Sequence, residues 1–463
     1  MSDVRTFDYE ARIRCWVLAF WVSTLVVGLP LRGQDMTSAD QGEEDEGGNP
    51  AVEIGGFVRG ELFLGKAPGE DKGEWKQGGG ELALTFRGRQ GNLGEGFAEL
   101  RLRETAGSDG PEQELELRDA YVATWLGPLD LKLGNQIIVW GRADGINPTN
   151  NLTPYDMGRR SADEDDRRLA NLALRTDLHL GTLRLEGVYV PLFKPSAFPA
   201  FELPSPLVLD SPLWPDTAFE NGIQAVRLHY EGSILEASLS YLYGFSTFPG
   251  IEYRGIDTNG LHVGFRAYRH QVLGLDFSTT LGDYLGLRGE AAWRRADGGG
   301  EKTYTPLTDL RYVFGLDREL VTDLNLVVQY SGRYVFAWEA LPSLPGGAGS
   351  PDPALLALLP ESALLEQIRS KNRMLNGQLD RLSHGVVGRL QWALLQETLN
   401  LELAGLYTLT TEELMLRPSL VHDLADALEV RWGATVYRGP EGTLFGLIDE
   451  RQSEVFAELR AWF

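Results

Sequence analysis

The sequence lacks the long apolar runs that build a helical membrane protein. A spanning helix needs about twenty predominantly apolar residues, and among 463 positions only residues 15–29 approach this, so a multispan helical protein is excluded. Cysteine occurs once, at position 15. A chain without paired cysteines has no disulfide framework and no thiolate metal centre. Positive charge is also short: the formal net charge is -23, which argues against a nucleic-acid partner, because phosphate binding needs clustered cations. Lysine stands only at 66, 72, 76, 132, 194, 302 and 371, so most of the 43 basic residues are arginine. Arginine keeps its charge when crowded and pairs bidentately with carboxylates.

The one apolar run follows Arg12 and Arg14 and precedes Gly33-Gln34, a small residue at a plausible cleavage point. It reads as a signal peptide over residues 1–33. The acidic, glycine-rich stretch 34–50 has almost nothing to bury and reads as a disordered periplasmic lead. From residue 51 a different pattern begins. Val52, Ile54, Val58, Leu62 and Leu64 fall on one face of an extended strand, with Glu53, Arg59 and Glu61 on the other. Leu82, Leu84 and Phe86 oppose Glu81 and Arg87; Ala98, Leu100 and Leu102 oppose Glu99, Arg101 and Arg103. Side chains alternate across a strand with period two, so each segment is two-faced.

The last ten residues repeat the pattern: Val455, Ala457, Leu459, Ala461 and Phe463 on one face, Glu454, Glu458 and Arg460 on the other. A strand ending in a free edge invites aggregation unless it is paired, and the simplest partner is the first strand. A sheet closed on itself, apolar outside and charged inside, is a transmembrane β-barrel. This terminal strand resembles the closing strand of bacterial outer-membrane β-barrels. The resemblance implies that the barrel assembly machinery reads Phe463.

Short breaks such as Gly127-Pro128 alternate with long polar or proline-rich connections at 141–166, 194–219, 245–259, 297–303, 338–378 and 438–453. Short periplasmic turns and long external loops have that asymmetry. With both termini on one side the strand number is even. An all-β, closed antiparallel transmembrane barrel of about 18 strands follows over 51–463, with 16 as the alternative and 261–281 as one long strand. Residues 352–374 carry apolar positions at helical spacing and predict a short helical element in the longest external loop. It either covers the rim or acts as a gate or docking element.

Residues 134–156, with Gln136, the Trp140-Gly141 pair and Asn147-Pro148, resemble the strand end and loop of a poorly characterised group of porin-like outer-membrane proteins. In such porins an external loop folds inward and narrows the pore. Here Gly141 permits a bend, two prolines stiffen the loop, and Arg142, Asp144, Asp156, Arg159 and Arg160 supply constriction charges.

On the strands, Arg59, Glu61, Arg87, Glu99, Arg101, Arg103, Glu116, Arg118, Arg175, Arg227, Arg288, Glu290 and Arg311 share the parity of the lumen. Facing lipid they would cost about 2–4 kcal/mol each near the midplane. Most are expected to brace the wall as cross-strand ion pairs. The six histidines are scattered; His229 and His262 share lumen parity near strand starts, and no pair has metal-ligand spacing. No catalytic, metal or cofactor residue is therefore assigned.

The expected function is a porin-like outer-membrane channel for passive diffusion of a small hydrophilic solute, with membrane lipid and the assembly machinery as partners. The alternative is a plugged structural, adhesion or partner-sleeve barrel. Solute identity, ion preference and oligomeric state stay open.

Overall fold

A computed structural model describes residues 52–66, 72–107, 110–199, 207–258, 260–282, 284–341 and 360–463. The expected signal peptide, the acidic lead and positions 352–359 of the expected helix lie outside the described residues. In chain order the strands are β1 (Val52–Lys66), β2 (Gly73–Gln90), β3 (Gly94–Gly107), β4 (Gly110–Leu126), β5 (Leu129–Gln136), β6 (Asn171–Leu180) and β7 (Leu183–Val190). There follow β8 (Leu207–Leu209), β9 (Ile223–Glu231), β10 (Leu235–Phe245), β11 (Gly250–Asp257), β12 (Gly260–Arg266), β13 (Arg269–Leu281) and β14 (Leu285–Ala296). The chain ends through β15 (Asp309–Val321), β16 (Leu324–Val335), β17 (Leu382–Leu394), β18 (Leu399–Thr408), β19 (Glu413–Ala425), β20 (Leu428–Arg438) and β21 (Glu454–Trp462).

Eighteen of these strands, all but β8, β11 and β12, form one closed antiparallel barrel. Closure is made by β1 and β21, which pair from Phe57 opposite Trp462 to Gly65 opposite Glu454. The Phe463 N–H donates to Gly56 O and the Gly56 N–H to Phe463 O, both at 3.1 Å. Closure leaves the barrel itself no edge strand to template aggregation.

The period-two alternation sets which face is which. On β21, Glu454, Phe456 and Glu458 are buried inside at 6%, 4% and 3%, while Val455 and Leu459 are exposed outside at 52% and 49%. So wide an apolar exterior suits hydrocarbon, not water. Trp392, Trp432 and Tyr230 are exposed near the short-turn end, and Trp75 and Tyr407 near the long-loop end, forming aromatic girdles of the kind found where a barrel meets two interfaces. Among the described residues no helix is long and apolar enough to cross a membrane.

One expectation is corrected. Residues 261–281 are two strands, broken at Ala267-Tyr268, both buried. The first of them, β12, leaves the barrel and pairs with β11 and, in parallel, with β8 in a separate three-stranded sheet. Its alternation is genuine, but the apolar face is covered by protein: Leu261 packs with Leu207, Tyr253 and Leu364. His262 consequently is not on the barrel wall; it sits between Asp210 at 2.8 Å and Asp257 at 3.0 Å.

Leu364 belongs to α1 (Glu361–Leu375), the helical element of the longest loop. Asn372 fastens α1, accepting from the Ile251 N–H at 2.8 Å and donating to Ile251 O at 2.7 Å and Thr303 O at 2.9 Å. A second helix, α2 (Leu444–Gln452), lies between β20 and β21. Its N-cap Thr443 accepts from the Gly446 N–H at 3.2 Å, which satisfies one of the free donors of a helix start.

Candidate pore constriction

The connection from β5 to β6, residues 137–170, turns into the barrel. Gly141, at φ +101°, makes the turn after Trp140; a Cβ there would collide with the Asn147 side chain. Asn147 in turn accepts from the Asn150 N–H at 3.1 Å and the Thr149 hydroxyl at 3.3 Å, fixing the bend.

The first half of the loop is anchored by apolar packing. Ile138, Trp140 and Leu152 form a buried cluster with Ala173, Val188, Val190, Ile223, Ala225, Leu242, Val272 and Ala292 from the inner wall. Trp140 is 2% exposed and Leu152 1%. Burying one such side chain is worth about 1.5–3 kcal/mol. The indole N–H donates to Glu186 at 3.2 Å, so the one polar atom of Trp140 is satisfied.

Past Gly141 the anchors are polar. Arg142 donates through Nε to Asp276 at 2.9 Å and pairs with Glu236. Its backbone N–H and that of Ala143 donate to Glu290, which also accepts from the Thr149 hydroxyl at 3.0 Å. Asp144 accepts from Arg288 at 3.0 Å and lies 3.5 Å from Arg389 of β17.

The second half meets the opposite wall. Asp156 caps the turn that follows it, accepting from the N–H groups of Gly158 and Arg159 at 2.9 and 3.1 Å. Arg159 forks between Glu114 and Glu116, both at 2.9 Å, and Arg160 binds Glu454 at 2.9 Å. Next comes a 3₁₀ turn, Glu164–Arg167, whose buried Asp166 reaches Arg59 at 2.6 Å, Arg101 at 2.7 Å and the Ser161 hydroxyl at 2.6 Å. Burial by itself would push the Asp166 carboxyl up; the Arg59 and Arg101 guanidiniums and the Ser161 hydroxyl hold it well below the usual carboxylate range. Arg118 donates to Asp165 O at 2.6 Å, and Arg417 of β19 pairs with Glu164 and donates to Ala162 O at 2.6 Å.

The five loop charges singled out from sequence thus lie inside the barrel, on different sides of it. Each is paired. The wall charges also face inward and are largely braced by partners: Arg103 and Glu81 at 2.6 Å, Glu99 and Arg101 at 2.6 Å, Arg175 and Glu186 at 3.0 Å, Arg227 and Asp276 at 2.8 Å, Arg311 and Asp309 at 3.4 Å. Glu61 stands 3.9 Å from Arg59, and Arg87 lies over the Phe97 ring at 5.5 Å. Sequence reading missed Asp166 as an anchor and the dry cluster around Trp140.

A closed barrel crossed by one pinned loop can be set beside known proteins. Residues 70–407 match the family described as "Protein of unknown function (DUF1302)". The chain belongs to that family. No curated protein matches it in sequence. Among solved structures, OccK2 (OpdF) of Pseudomonas aeruginosa is similar at TM-score 0.51 and 14% identity, over 89% of this chain and 97% of that one. OpdQ of the same organism gives 0.51 and 12%, over 89% and 98%. OccAB3 of Acinetobacter baumannii gives 0.50 and 11%, over 89% and 99%. At such identities the likeness is one of fold.

Proposed function

We propose that this DUF1302 member is an outer-membrane channel through which small hydrophilic solutes diffuse passively. The observation that carries the reading is the loop at 137–170, held across a closed barrel by buried ion pairs and an apolar seat. A fixed constriction in a charged lumen selects by size and field without any chemistry. The apolar exterior and its aromatic girdles support placement in the outer membrane, with the short turns on the periplasmic side. Phe463 supports the assembly signal, because its backbone completes the seam with Gly56.

The buried cluster around Trp140 favours a second reading, a barrel plugged by its loop that serves a structural role. Conductance separates the two. Purified protein in planar bilayers should give discrete single-channel steps. A correctly folded, heat-modifiable protein that never conducts would leave the plugged barrel standing.

A further inference from the structure

The long loop bonds to most of the wall, and the exceptions locate a path. Apart from β5, from which it emerges, no hydrogen bond or ion pair among the described residues joins residues 137–170 to β2, β9, β15 or β18. Three of these strands are covered all the same: Ala83 on β2, Ala225 on β9 and Val313 on β15 are buried at lumen-facing positions. On β18 the lumen-facing Glu402, Ala404 and Leu406 are all partly exposed.

Two loop-to-wall ion pairs frame this gap. On the β17 flank stand Asp144 and Arg389, 3.5 Å apart, and Arg389 also reaches Glu402 at 3.1 Å. On the β19 flank Glu164 pairs with Arg417. Water reaches the β17 flank and the carboxylate of the β19 flank: the side chains of Asp144, Arg389, Glu402 and Glu164 are 29%, 35%, 31% and 53% exposed, against 9% for Arg417, 4% for Asp166 and 1% for Arg59.

We infer that solutes cross the constriction down the inner face of β18, between the Asp144–Arg389 and Glu164–Arg417 pairs, and that this path favours small zwitterions. The inference rests on the channel reading above. Carboxylates and guanidiniums stand side by side around the opening, so an ion of one sign meets attraction and repulsion within a few ångströms. A solute carrying both a cationic and an anionic group can instead pair with both members of the partly exposed Asp144–Arg389 pair. Such pairs are weakly held in water and can exchange partners. Ala404 and Leu406 add a short apolar strip that holds no solute back.

The test uses single cysteines at Ala404, Leu406 and, as a covered control, Ala83, in a Cys15→Ser background. A cationic methanethiosulfonate should cut single-channel conductance at least twofold in Ala404→Cys and Leu406→Cys and leave Ala83→Cys unchanged. Influx into proteoliposomes of glycine betaine, choline and isethionate then compares a zwitterion, a cation and an anion of similar size. Glycine betaine should enter fastest, and Arg389→Gln with Glu402→Gln should abolish its lead. A wild type that passes no current overturns the channel reading itself. A conducting protein whose cysteines at 404 and 406 gain the reagent's mass with no loss of current overturns the path alone. A wild type that admits glycine betaine no faster than choline or isethionate overturns the solute class.

Discussion

Replacing Asp166 with Asn should release the second half of the inward loop from the wall. The carboxylate is shared by Arg59 and Arg101 at 2.6 and 2.7 Å, and its side chain is 4% exposed. Removing one member of a buried ion pair costs about 3–5 kcal/mol when the partner is left uncompensated; Arg59 keeps Glu81 at 2.9 Å and Arg101 keeps Glu99 at 2.6 Å, so the lower end, about 3 kcal/mol, applies. At about 1.4 kcal/mol per decade, the undocked population of the loop should rise by about two orders of magnitude. Single-channel recording should show a larger mean conductance and greater open-channel noise, and external protease should cut within 156–168. Asp165→Asn is the matched control: its carboxylate is 71% exposed and, among the described residues, pairs only with Arg168, a contact worth about 0–1 kcal/mol. The sign of the pH dependence follows. A carboxyl depressed in the folded state adds stability above its unfolded pKa and loses it as pH falls through the folded value. The anchor should therefore hold unchanged from neutral pH down to about pH 4 and loosen only below that. Asp166→Asn channels with wild-type conductance, noise and protease resistance would refute the anchoring argument.

The other perturbations test separate parts of the same construction. Arg142→Ala, Arg159→Ala and Arg160→Ala together should enlarge the pore and shift its reversal potential toward cations in asymmetric salt, because Asp276, Glu116 and Glu454 each lose one neutralising arginine; an unchanged reversal potential counts against it. Trp140→Ala should cost about 3–5 kcal/mol of loop docking, seen as a flickering conductance in a barrel of normal heat-modifiability, and a steady wild-type trace would remove the apolar seat from the mechanism. Leu62→Cys with Ala457→Cys, partners across the closing seam, should form a disulfide that stops the gel shift on heating until reductant is added. A double variant that oxidises only between chains would contradict the closure.

Much of the barrel is legible in the sequence because parity alone decides it. A charged side chain on one face and an apolar one on the other admit one orientation in a membrane, and Arg59, Glu61, Leu62 and Leu64 take it. Parity does not say what covers a face. In β12 the apolar face of Leu261 and Val263 looks the same whether it meets lipid or α1, so the sequence offered one long strand where there are two. Inside the barrel a visible signal was available: Val188, Val190, Ile223, Leu242 and Val272 are apolar at lumen-facing positions, and a wet wall has no use for them. Taken with Trp140 and Leu152, they mark a dry seat waiting for the loop. Charged residues carry no such signal, because an anchor and a filter share one composition.

Water access is what separates those two roles, and it follows from where the loop touches the wall. Asp166 and Asp144 are both loop aspartates facing two wall arginines, Arg59 and Arg101 for the first, Arg288 and Arg389 for the second. The first pair of contacts is sealed by the 3₁₀ turn and the walls of β1 and β3. Its field is spent on holding the loop, since a passing solute cannot reach it. The second lies beside β18, where the loop stops short, and its side chains stay in reach of water. A field acts on a solute only where the solute can come close before the charge is screened. Substitutions at Asp166 and Asp144 should therefore differ in kind: the first changes how large and how quiet the pore is, the second which solute it prefers at an unchanged size.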